Sequence, residues 1–313
     1  MRLVLSLLLF SLVSYATAAD LRLGIVGTDT SHAIEFTRIL NDAAGPDHVP
    51  GARVIAAWEG GSPDIEESAS RRDKYAAELK EKWQVEFYPD IATLCQHVDA
   101  VLLESLDARV HLAQARQVFA AHKPVFIDKP LSDSLEGARE IARLAQSAGV
   151  PWFSSSSLRY AGWVQSLRSP KNLGVTTWGP GPQEPHQKLD LSWYAIHPIE
   201  VLYTLMGPGC QQVARTSSGE ADVITGTWKD GRIGTIRAIR PYSTYGAVVF
   251  RDKQILQSPE NAKFSYKLLV EQLVQFFATG KPPVPNGETL EIFAFMEAAQ
   301  RSKEQGGKPA RLR

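Results

Sequence analysis

Two side chains in this sequence stand where acid–base chemistry can be built. Lys129 lies in Asp128-Lys129-Pro130, directly after the apolar run Pro124–Ile127. The proline biases the lysine toward extended backbone at the C-terminal end of a strand, where open α/β sheets bind ligands. His197, in Ile196-His197-Pro198, falls at the predicted first turn of a helix. A helix N-terminus disfavours imidazolium, which suits a neutral general base or electrophile. Just upstream, Trp193 and Tyr194 offer aromatic faces suited to the apolar face of a pyranose, and core packing is the competing role for both. Asp190, three residues before Trp193, is the nearest upstream carboxylate; His186 and Glu200 complete a polar cluster. A metal set of His186, Asp190, His197 and Glu200 has no ligand-spacing signature, so no metal is expected.

A second constellation follows the first predicted strand. The segment reads Gly24-Ile25-Val26-Gly27-Thr28-Asp29-Thr30-Ser31-His32. In a dinucleotide-binding turn, G-x-G-x-x-G, the glycines serve the tight turn, the approach of the pyrophosphate and helix–strand packing. Gly27 takes the first position, Asp29 the second and His32 the third, with Thr28 and Thr30 between them. Asp29 brings a carboxylate to the place of the phosphates. Like charges 4 Å apart repel by about 4 kcal/mol at an effective dielectric of about 20. The same residue is a good N-cap for the following helix. Glu59, after the second predicted strand, occupies the place of an acidic ribose ligand.

The elements that position these groups divide the chain by periodicity. Strand candidates at Leu21–Val26, Arg53–Trp58, Ala100–Leu103 and Pro124–Ile127 alternate with helical patterns at His32–Leu40, Ala69–Lys82, Val110–Ala121 and Ser134–Ala148. This alternation predicts a Rossmann-like, doubly wound parallel sheet over residues 19–150. After Pro151 the texture becomes β-rich, at Val175–Trp178, Val223–Trp228, Ile233–Ile239 and Val248–Phe250, with an Asp230-Gly231 hairpin turn. Helices are predicted at Pro198–Met206, Ser265–Ala278 and about 288–303. The reading for residues 151–313 is an α+β domain with a mostly antiparallel open sheet.

In order and spacing these landmarks resemble the glucose–fructose oxidoreductase/inositol dehydrogenase (Gfo/Idh/MocA) family. They are the Leu23–Gly27 strand, Asp99-Ala100-Val101, His111 opening a helix, Lys123–Pro130, Arg159 after a strand, Ile196-His197-Pro198 and the closing Glu288–Arg313 stretch. Asp128-Lys129-Pro130 is similar to the family's Glu-Lys-Pro motif, whose lysine lies beside nicotinamide and substrate. The family commonly carries an Asp four residues before its catalytic His; here that position is Trp193. The resemblance implies NAD or NADP contacts at Gly27, Thr28, Asp29, Thr30, His32, Glu59 and Asp128. It also implies catalysis by Lys129 and His197, with Asp190 as a displaced carboxylate, and substrate contacts at Arg159, Trp193, Tyr194 and His186. A homo-oligomer through the second sheet is implied too.

The N-terminus bears on the cofactor. Arg2, an apolar run from Leu3 to Val13 and Ala16-Thr17-Ala18 describe a secretory signal peptide cut after Ala18, with no twin-arginine pair. Export by the general route, to the periplasm or beyond, delivers an unfolded chain without bound nucleotide. The 34 Lys plus Arg balance 34 Asp plus Glu, which argues against nucleic acid or an anionic membrane as partner. Only Cys95 and Cys210 are present; a bridge between them is permitted. Three readings stay open: a sugar or cyclitol oxidoreductase using nicotinamide, a cofactor-independent lyase or hydrolase in the same cleft, and a non-catalytic carbohydrate-binding relative.

Overall fold

The computed structural model describes residues 19–313, so the segment read as a signal peptide lies outside the described residues. The first sheet comprises β1 (Leu21–Val26), β2 (Ala52–Trp58), β3 (Glu86–Phe87), β4 (Ala100–Leu103), β5 (Val125–Ile127) and β6 (Trp152–Phe153). All pairs are parallel, in the order β3-β2-β1-β4-β5-β6. β4 and β5 are buried along their whole length, as apolar strands covered on both faces must be. The winding reverses between β1 and β4, which opens a crevice at their C-terminal ends.

The helices of this half are α1 (Ser31–Asn41), α2 (Glu66–Ala69), α3 (Arg72–Glu81), α4 (Ile91–His97), α5 (Ala108–Ala120) and α6 (Leu135–Ala148). The Ser134 side chain caps α6 by accepting from the Gly137 N–H, and Gly149 ends it at φ 66°. The helix expected over Ala69–Lys82 is α3, which starts at Arg72, and Ala69 instead ends the separate one-turn α2.

The second sheet holds β7 (Gly174–Pro180), β8 (Cys210–Ser217), β9 (Ala221–Trp228), β10 (Ile233–Ile239), β11 (Gly246–Arg251), β12 (Gln254–Gln257) and β13 (Ala310–Arg311). Its order is β12-β11-β7-β10-β9-β8-β13; only β7 and β10 pair in parallel. α7 (Gly162–Leu167), α8 (Ile196–Met206), α9 (Lys267–Thr279) and α10 (Asn286–Glu304) complete the chain. Tyr203 of α8 packs between Trp228 and Phe295, joining β9, α8 and α10 in one core. That core continues into α4, α5 and α6. α9 turns back to the first sheet: Leu269, Val270, Leu273 and Phe276 share a core with Leu23, Phe36 and Ile39. Cys95 and Cys210 are buried free thiols, which excludes the permitted bridge.

Candidate active site

A cleft of about 240 Å³ lies where the two halves meet, lined by Asp128, Lys129, His32, His197, Trp193 and Tyr194 among others. The end of β5 delivers Asp128 and Lys129, α1 brings His32, and α8 brings His197 within its first turn. The far wall is aromatic: Tyr242, Tyr245, Phe264 and Tyr266. Tyr245 meets the His197 ring edge-on at 5.7 Å, and Tyr266 meets His32 at 4.8 Å. The sequence reading missed these four. Their signal is weak, because they sit in the irregular connections before β11 and α9. The cleft falls below the usual size of a drug-sized pocket and matches one small ring.

The polar groups are held in distinct protonation states. His197 Nδ1 lies 2.7 Å from Ser156 Oγ, leaving Nε2 for a ligand. Burial, then the positive charge of Lys129, holds the His197 pKa well below the usual histidine value, so the ring is neutral near pH 7. Asp128 Oδ1 accepts the Lys129 backbone N–H at 2.8 Å, and Oδ2 lies 2.6 Å from His32 Nδ1. Burial raises the Asp128 pKa, but the close contact with His32 and the neighbouring Lys129 outweigh it and the net shift is downward. Glu104, at the end of β4, is fully buried, and neither carboxyl oxygen meets a hydrogen-bond donor. Burial, reinforced by the Asp128 charge, pushes its pKa well above the carboxylate range. His111 clamps the loops after β4 and β5, with Nε2 2.7 Å from Ser105 O and Nδ1 3.3 Å from Leu131 O.

The turn after β1 keeps one glycine function and loses another. Gly27 has φ 93°, and a Cβ there would lie 2.3 Å from Ser105 Oγ, so only glycine fits. Asp29 is not the helix cap; Thr30 is, accepting from the Ala33 N–H at 3.4 Å. The Asp29 side chain is instead fully buried, accepting from Ser68 Oγ at 2.6 Å and the Leu106 N–H at 3.1 Å. It bridges the residues following β1 and β4, at the mouth of the crevice where a pyrophosphate would lie. The stretch Ser62–Arg71 is strapped over the same mouth. Ser62 Oγ donates to Asp107 at 2.6 Å, and Asp64 pairs with Arg109 at 2.8 Å. A dinucleotide laid across this turn in the usual way does not fit the residues present. Thr28 is buried with its hydroxyl on Arg72 O, and Glu59 is exposed with Arg72 at 3.4 Å; neither lines the cleft. Thr30, His32 and Asp128 do line it.

Other expected site residues are committed elsewhere. Asp190 binds Arg215 at 2.6 Å and Lys303 at 2.8 Å and does not reach the cleft, so it supplies no displaced carboxylate. Arg159 is buried between Glu200 and Glu288, each at 2.6 Å, and borders a different hollow. His186 is exposed and pairs with Glu184. The set His186, Asp190, His197 and Glu200 is therefore dispersed. Among the described residues, the His and carboxylate atoms that do converge belong to His32, Glu104 and Asp128, within 4.8 Å of one another.

Residues 21–155 match the model of the Gfo/Idh/MocA oxidoreductase family, described as having an NAD-binding Rossmann fold. The Salmonella typhimurium protein "Putative oxidoreductase YceM" is 28% identical over 149 residues, which cover 48% of this chain and 43% of that protein. The chain thus matches less than half the length of that curated relative. Among solved structures, myo-inositol 2-dehydrogenase from Lactobacillus plantarum superposes with a TM-score of 0.76 at 16% identity, covering 94% of this chain and 100% of that one. Myo-inositol dehydrogenase from Lactobacillus casei, solved with NAD(H) and myo-inositol, gives 0.74 at 20% identity, covering 94% and 97%. At such identities the likeness shows the fold: a Rossmann-like domain joined to a mixed, mostly antiparallel sheet. The family match supports the resemblance read from Asp128-Lys129-Pro130 and Ile196-His197-Pro198.

Proposed function

We propose that this protein is an oxidoreductase of the Gfo/Idh/MocA type acting on a polyhydroxylated ring, a sugar, glycoside or cyclitol, at Lys129 and His197. The observation that carries the reading is a neutral His197 in the same ring-sized aromatic cleft as Lys129. In the oxidising direction, His197 Nε2 takes the hydroxyl proton while the Lys129 ammonium hydrogen-bonds the oxygen; the reverse step returns the proton. Trp193 and Tyr194 contact the ring's apolar face. The family match and the inositol dehydrogenase solved with NAD(H) support a nicotinamide partner, which would supply the hydride acceptor this oxidation needs. No step here is assigned to it, because Asp29 and the Ser62–Arg71 strap fill the diphosphate position.

That filling favours a second reading. The same pair can move a proton to and from carbon beside a carbonyl, or assist hydrolysis, with no net redox. Calorimetric titration with NAD(H) and NADP(H), joined to turnover of inositols and aldoses followed at the nicotinamide absorbance, decides between them. Binding tighter than about 10 μM, equivalent to about −7 kcal/mol, with turnover supports the first reading. Deuterium uptake into a keto-sugar in D₂O without nucleotide supports the second. Neither signal leaves a carbohydrate-binding protein.

We also propose that the mature chain starts at Ala19 and acts outside the cytoplasm; mass spectrometry of secreted protein tests this. The exposed Ile233, Phe250 and Ile255 of the second sheet support pairing through it, which light scattering measures.

A further inference from the structure

We propose that His32, Glu104 and Asp128 form a binding site for one divalent transition-metal ion, of the Mn²⁺, Fe²⁺ or Zn²⁺ class, facing the cleft beside Lys129. The site stands on geometry and does not depend on the redox or non-redox reading. The three side chains come from the ends of β4 and β5 and the first turn of α1, and their ligating atoms converge within 4.8 Å.

The outer contacts are those a metal site needs. His32 Nε2 lies 3.2 Å from Tyr266 Oη, so with its proton on Nε2 the ring donates to tyrosine and turns the Nδ1 lone pair to the centre. Asp128 is steadied by the Lys129 N–H on Oδ1, while Oδ2 shares a proton with His32 Nδ1 at 2.6 Å, which an entering ion displaces so that both atoms become ligands. Glu104 is the independent sign of a missing partner. It is fully buried, and both oxygens lack a donor in a fold that pairs the buried carboxylates of Asp29, Asp107 and Asp222. Buried charges are paired or coordinate metals. One imidazole with two carboxylates selects a transition metal over the all-oxygen sites of Ca²⁺ and Mg²⁺.

Three protein ligands leave positions open toward the cleft, where adjacent ring oxygens can bind. A metal there polarises a carbinol or carbonyl oxygen and complements the Lys129 ammonium.

The test uses the mature chain, stripped with chelator and titrated with Mn²⁺, free ion being counted by electron paramagnetic resonance. One Mn²⁺ per chain is expected. Glu104→Gln, which keeps the volume and removes the charge, weakens binding by at least about tenfold. Tyr266→Phe, which removes only the outer partner of His32, weakens it by about 10–100-fold. Glu59→Gln, on an exposed carboxylate, leaves it unchanged. Circular dichroism confirms folding of each variant, and Tyr266→Phe carries the test should Glu104→Gln misfold. Absence of Mn²⁺ and Zn²⁺ binding at about 1 mM in the wild type overturns the proposal. So does equal affinity in the folded Glu104→Gln and Tyr266→Phe variants.

Discussion

The Asp29 carboxylate meets the Leu106 backbone N–H at 3.1 Å, tying the turn after β1 to the loop after β4. Ser68 supplies the second donor, at 2.6 Å. Asp29→Ala leaves both donors buried without an acceptor, at about 1–3 kcal/mol each. The variant should lose about 2–6 kcal/mol of stability, read as a lower midpoint in urea. An unchanged midpoint would show that the tie contributes nothing.

The same contact governs access to the crevice. Asp29→Gly combined with Ser68→Ala removes the resident anion and its latch. Nucleotide binding should then strengthen by at least about tenfold, since a carboxylate near phosphate costs about 4 kcal/mol. Calorimetry on wild type and double variant gives the comparison. Equal affinities would mean that the diphosphate binds elsewhere.

His197 sets the pH response. Its folded pKa is depressed, so the stability it contributes is complete above the unfolded value of about 6.5. That contribution is lost as pH falls from there toward the lower folded pKa. Turnover should stay level from pH 8 to 6.5 and decline only at clearly lower pH. Replacing His197 by Gln, or Lys129 by Met, should cut kcat/KM by about 10²–10⁴-fold. A rate falling with a midpoint near 6.5 would count against a neutral, shielded base.

Glu104 responds with the opposite sign. Burial raises its folded pKa, so ionisation destabilises the metal-free fold as pH rises above the unfolded value of about 4.3. Glu104→Gln should therefore gain in melting temperature over the chelated wild type between pH 5 and 8. A difference independent of pH would mean that the carboxyl does not titrate there.

Arg215 separates structure from catalysis. It is fully buried and joins Asp190 to Asp222. Arg215→Met leaves Asp222 with Arg240 and Asp190 with Lys303 as their remaining cations, and the loss of its charged hydrogen bonds should cost about 1.5–3 kcal/mol. Asp190→Asn should lower stability but leave kcat/KM within about twofold, a small fraction of the effect of losing a proton-transfer group. A large kinetic loss there would return Asp190 to the catalytic list.

The strand–helix alternation of the first half was legible because buried parallel strands are short apolar runs. The Asp230-Gly231 hairpin was legible from its turn chemistry, and Gly231 does take φ 85°. Lys129, His197, Trp193 and Tyr194 were found because each sits beside a proline or in an aromatic pair. What remained hidden was partner choice. Nothing local distinguishes Asp190, which meets a β8 arginine, from a catalytic carboxylate. Arg159 looked like a substrate ligand because its two glutamates lie far along the chain. Glu104 passed unnoticed, since a single Glu after a strand usually faces water. The seven-residue α4, capped by Asp90, is too short for a periodic signal.

α9 lies more than two hundred residues beyond α1 in the chain, yet it packs beside α1 and completes the cover of the same face of the first sheet. A growing polypeptide released only as far as β12 would therefore show Phe36, Phe126 and Phe153 without their last cover, Phe276. The N-terminal half therefore lacks part of one core until the C-terminal half is synthesised. Such sequence-distant closure slows folding and lengthens the time for which that apolar surface remains accessible to chaperones.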